Sequence, residues 1–128
     1  MTFNNNIIQN IIETNFMEIV YDQVSIDIWD LSGSDANGLF ARDADLVELD
    51  ELLGLRVDEY KTDALDGGTH VIGYMTVLAA VDGTSRYDGE DVSVGSANVM
   101  MRYHFHFMAR DDSYDEFELA LLSIAIDR

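Results

Sequence analysis

The sequence predicts an α+β domain: an antiparallel sheet of four to five strands with two helices packed on one face. Three observations carry that expectation. An apolar stripe at helical spacing lies near the N-terminus, long runs of strand-forming residues fill the second half, and turn residues separate them. The chain has 128 residues, 48% of them hydrophobic, which suits a single domain over 1–128 with one core.

Ile7, Ile8, Ile11, Ile12 and Phe16 recur at helical spacing, and the asparagines at 4, 5 and 6 offer N-caps. The first helix is expected from about Asn5 to Asn15. Val24, Ile26 and Ile28 then alternate with Ser25, Asp27 and Trp29, the period of a half-buried strand. Trp29 and Tyr21 are either a partner hot spot or part of the core, and in a strand facing helices the core is the expectation. The segment LSGSDANG reads as a loop. Asp45 with Glu48 three residues on forms a capping box ahead of Leu46, Leu49, Leu52 and Leu53, so a second helix is expected there, stopped by Gly54.

RVDEYKT reads as a short strand and DALDGG as a turn. HVIGYMTVLAAV reads as a long strand closed by the turn VDGTS. NVMMRYHFHFMAR and EFELALLSIAID pair around DDSYD. The expected register sets Phe107 opposite Leu119 and Phe105 opposite Leu121 on the core face. The other face then pairs Arg110 with Glu116, Met108 with Glu118, His106 with Ala120 and His104 with Leu122. A slip of one residue would exchange the two faces.

The formal net charge is −18, from 25 acidic and 7 basic residues. Affinity for a nucleic-acid backbone comes from basic residues that neutralise phosphates, so direct nucleic-acid binding is not expected. An anionic membrane surface repels such a body. The opening residues lack a signal peptide's positive region, and no apolar run approaches the roughly 20 residues that span a bilayer. A cytoplasmic location is therefore expected. Without cysteine there is no disulfide framework, thiolate nucleophile or thiolate metal site.

Acid is concentrated between residues 17 and 68, which hold 14 acidic and 3 basic residues. From Val92 to Arg110 there is none, and Arg102, His104, His106 and Arg110 share one strand face there. His104 and His106, at i and i+2, point the same way, and Glu118 on the next strand is the nearest carboxylate. These three are the candidates for a metal-binding or small-ligand face, although no cofactor is assigned. Glu59-Tyr60-Lys61 has the order of half a metal-nuclease motif but lacks a second carboxylate on an adjacent strand, and so acidic a nuclease would repel its substrate. No glycine-rich segment has phosphate-loop spacing, DADLVELDE lacks the order of a calcium loop, and no nucleophile triad is apparent. No enzymatic activity is predicted.

The expected function is that of a small acidic protein-interaction module, an inhibitor that mimics nucleic-acid charge and occupies a basic groove on a nuclease or host-defence protein. Asp35, Asp43, Asp45, Glu48, Asp50, Glu51, Asp58 and Glu59 are the expected contact residues. The expected partner is a basic protein surface, with a second copy of the chain as the other candidate. The alternatives are a ligand- or metal-binding role for the His104/His106 face and an accessory domain adapted to high salt.

Overall fold

A computed structural model describes residues 3–31, 40 and 44–126. Two helices, α1 (Asn5–Asn15) and α2 (Met17–Trp29), precede four strands, β1 (Leu46–Leu65), β2 (Gly68–Tyr87), β3 (Glu90–Ala109) and β4 (Tyr114–Ile126). The strands form one antiparallel sheet in the order β1-β2-β3-β4. The architecture is α+β, as the sequence predicts.

The first helix has the expected bounds. The Asn4 side chain accepts from the Ile7 N–H at 2.8 Å and so caps one of the orphan donors. Ile8, Ile12, Phe16, Val20, Val24 and Ile28, each four residues apart, are all buried. With 3.6 residues per turn, a row spaced by four drifts about 40° per step and would leave the core of a straight helix. The chain solves this by breaking at Phe16 (φ −126, ψ 8), which ends α1 and starts α2. The Phe16 ring stacks on Phe117 at 4.5 Å and meets Phe107 at 5.6 Å.

The strand expected at Val24–Ile28 is therefore the second half of α2. Its alternation is incidental: Val24 and Ile28 are buried, but Ile26 between them is exposed. Tyr21 and Trp29 are also exposed rather than in the core. The loop expected at LSGSDANG falls almost wholly outside the described residues.

The helix expected from Asp45 to Gly54 is instead the first half of β1, and the short strand expected at RVDEYKT is its second half. Three bulges, at Leu49/Glu51, Leu52/Gly54 and Val57/Glu59, explain the error. Each adds one residue to a period of two. The residues facing the buried side of β2 are thus Val47, Leu49, Leu52, Leu55 and Val57, at steps of two, three, three and two. Steps of three imitate a helix. Asp45 caps no helix; its carboxylate accepts from the Ser85 hydroxyl and the Arg86 N–H across the sheet.

The turn expected at DALDGG shrinks to Asp66-Gly67, since β1 runs to Leu65 and β2 starts at Gly68. The turn expected at VDGTS does not form: β2 continues through Gly83, where the Phe40 ring occupies the space of a Cβ, and turns only at Asp88 (φ 52) and Gly89 (φ 81). Both left-handed residues suit a type I′ hairpin. Val71, Met75, Val77, Ala79 and Val81 of β2, with Val99, Met101, Tyr103, Phe105 and Phe107 of β3, join the helix residues in one core.

The β3/β4 register differs from expectation by two residues. Phe105 faces Leu119, Tyr103 faces Leu121, His106 faces Glu118 and His104 faces Ala120. An even slip preserves the faces while changing every partner. Phe105 and Phe107 remain in the core, and the histidines stay on the other side. That offset holds between two bulges: it narrows to one residue before Arg102/Tyr103 and widens to three after His106/Met108, close to Glu116, a non-glycine residue in the left-handed region (φ 58).

Candidate functional site

The expected contact carboxylates that the structure describes all lie on or beside β1. Asp35 and Asp43 lie outside the described residues. Glu48, Asp50, Glu51 and Glu59 are exposed along β1, an edge strand whose acid discourages pairing with a further chain. Asp45, although exposed, and half-buried Asp58 are already engaged by groups of this chain. The Arg86 backbone N–H and the Ser85 hydroxyl hold the Asp45 carboxyl below the usual carboxylate range. At Asp58 burial acts to raise the pKa, but bonds from Thr76 (2.6 Å) and Arg56 (2.8 Å), with the charges of Arg56 and Arg102, bring it below that range.

Beside β1 lies α2. Its inner side buries Val20, Val24 and Ile28, and Asp27 accepts from the fully buried Tyr103 hydroxyl at 2.7 Å. Burial, and then the Asp27 carboxylate, push the Tyr103 phenol far upward, so it serves only as a donor. The outer side carries Ile19 (44% exposed), Ile26 (56%) and Trp29 (54%). Spaced i, i+7 and i+10, they form one stripe, with Tyr21 (47%) on the other flank. Exposed Glu18, Asp22 and Asp30 stand among and beside them. The sequence offers Trp29 and Tyr21 as a partner hot spot, but the strand period read at Val24–Ile28 hides their company with Ile19 and Ile26, which helical spacing reveals.

The sheet face away from the buried core collects the imidazoles. His70, Ile72, Tyr74 and Thr76 of β2 sit opposite Met108, His106, His104 and Arg102 of β3, so all three histidines share it. The His104 and His106 side chains point the same way, as expected, but do not act together. His104 meets the Tyr74 ring edge-on at 5.3 Å, and Arg102 lies 5.2 Å above the same ring. His106 turns to His70, with Nδ1 3.4 Å from His70 Nε2, and its own Nε2 lies 3.0 Å from Glu118. Glu59, Lys61, Tyr74 and His104 line a shallow depression of about 450 Å³. Among the described residues that line it, Glu59 is the single carboxylate, and Asp58 is bound instead to Thr76 and Arg56. Among the described residues, no group of three or more His, Asp or Glu is arranged to hold a metal ion, and no helix is long and apolar enough to cross a membrane.

Compared with protein-family models, curated proteins and solved structures, the chain matches none.

Proposed function

We propose that the protein is a small acidic interaction module that binds a basic surface on another protein through the outer side of α2 and the adjoining β1 edge. The observation that carries this reading is the acid-rimmed apolar stripe of Ile19, Ile26 and Trp29. Large aromatics supply much of the binding energy at interfaces, and a charged rim supplies steering and partner choice. In this reading both helices form one layer on the core face of the sheet, with the Ile19, Ile26 and Trp29 side of α2 turned to solvent. An inhibitor that imitates nucleic-acid charge in a basic groove is its sharper form. There the exposed carboxylates of Glu48, Asp50, Glu51 and Glu59 along β1 meet the groove's arginines and lysines. The apolar stripe adds contacts that phosphate mimicry alone lacks, so the partner surface combines cations with an apolar slot.

Trp29 is the single tryptophan, and its fluorescence reports the interface directly. Partner captured from the native host and titrated into the protein should shift that emission to the blue. Affinity should fall steeply between about 0.05 and 0.2 M salt as screening shortens the Debye length. Trp29→Ala should weaken binding at least tenfold, about 1.4 kcal/mol, the lower range for a central interface aromatic. Salt-independent affinity, or full affinity in Trp29→Ala, is incompatible with this reading.

A further inference from the structure

We propose that His70 and His106 form a site for one borderline divalent transition-metal ion, of the Zn²⁺ or Ni²⁺ class, on the uncovered face of the sheet. The inference is independent of the α2 surface. It rests on how the two rings are held.

His106 presents its two ring nitrogens to different partners: Nε2 to the Glu118 carboxylate at 3.0 Å and Nδ1 to His70 Nε2 at 3.4 Å. A carboxylate accepts only, so in neutral His106 the proton is on Nε2 and the Nδ1 lone pair faces His70. A carboxylate behind an imidazole is the arrangement that orients metal-bound histidines and raises their basicity. The separation also fits. A tetrahedral ion with metal–nitrogen bonds of about 2.0–2.1 Å holds its donors about 3.3–3.4 Å apart. As a hydrogen bond, the 3.4 Å approach is long against the usual ~2.7–3.2 Å.

The rings belong to adjacent strands and are placed diagonally, since His70 faces Met108 and His106 faces Ile72. Both line a depression of about 370 Å³ with Met108, Glu116 and Glu118, which leaves room for water to complete the coordination. Glu118 is turned to the far nitrogen, and Glu116 is engaged by Arg110 at 3.4 Å. Two imidazoles are therefore the direct protein ligands. Imidazole selects borderline ions over Mg²⁺ and Ca²⁺, which prefer oxygen. The surrounding charge of −18 raises the local cation concentration without setting that preference.

The test is calorimetric titration of ZnCl₂ into the chelator-treated 128-residue chain in excess Mg²⁺, which saturates diffuse carboxylate binding. One saturable Zn²⁺ site is expected. It should vanish in His70→Ala and in His106→Ala, persist in His104→Ala, and weaken about 10–100-fold in Glu118→Ala. These side chains lie outside the core, and circular dichroism checks that each variant folds. Without any variant, Zn²⁺ should shift the ring ¹⁵N signals of His70 and His106 and spare those of His104. No saturable site in the wild type, displacement by Mg²⁺, or retention in both His70→Ala and His106→Ala overturns the proposal. So does a Zn²⁺ shift centred on His104.

Discussion

Asp58 leaves the β1 ladder at its third bulge, and its carboxylate turns to the Thr76 hydroxyl and the Arg56 guanidinium. Those bonds outweigh the burial that opposes ionisation, so its pKa is lower in the folded chain than in an unfolded one. Such a carboxylate binds its proton more readily when unfolded. Its contribution to stability is complete above the unfolded value near 3.9 and is lost as pH falls through the lower folded value. Asn resembles the protonated acid, which makes Asp58→Asn a clean probe. The stability gap between wild type and Asp58→Asn, measured by urea unfolding, should be widest near pH 6 and close as pH falls toward about 2. A gap that stays constant with pH would mean that Asp58 has the same pKa folded and unfolded, so that Thr76 and Arg56 do not favour its ionised form. Arg56 also shows how scarce positive charge is used: the guanidinium of one of only 7 basic residues is spent on Asp58, two positions away.

On α2 the placement of acid runs against helix electrostatics. The last turn has no basic residue, while Asp27 lies within it and exposed Asp30 caps it, where the helix dipole presents its negative end. Asp27 is compensated by the Tyr103 hydroxyl, but Asp30 lies on the solvent side near Ile26 and Trp29. Asp30→Asn should therefore raise unfolding stability by about 0.3–1 kcal/mol while weakening partner binding, a trade that thermal melts and the Trp29 titration measure together. Loss of stability in that variant would show that Asp30 serves the helix and not the surface. The same elements explain what was legible in the sequence. Helix α1 follows from an unbroken helical period and a simple cap, and the apolar stretches of β2, β3 and β4 from their strand formers, although the ends of β2 and β3 do not. Strand β1 hid because its bulges stretch a period of two into steps of three, and α2 hid because Ile26, an exposed residue, completed a false alternation. The face carrying the histidines survived a register error of two, since an even slip conserves faces; the His70–His106 approach did not, because it depends on how β2 and β3 align.

Across the whole molecule, a charge of −18 on 128 residues makes like-charge repulsion a property of the fold and not of one site. Glu48 sits directly opposite Asp82, a cross-strand pair of equal sign. Added salt relieves such repulsion, but the range over which it does so separates two explanations of the acid. Screening between surface carboxylates is largely complete once the Debye length, about 10 Å at 0.1 M, falls to a few ångströms near 1 M. A surface kept acidic for a basic partner should gain thermal stability mainly below about 0.5 M KCl and then level off, while partner affinity falls over the same range. A chain whose acid is an adaptation to concentrated salt should keep gaining stability well into molar KCl. The stripe of Ile19, Ile26 and Trp29 favours the first course, because large exposed apolar groups set among carboxylates serve contact more readily than solubility. The expected melting curve therefore rises and then flattens. A melting temperature still climbing between about 1 and 2 M KCl, where simple screening has little left to remove, would assign the acid to salt adaptation and leave the α2 stripe without its electrostatic rationale.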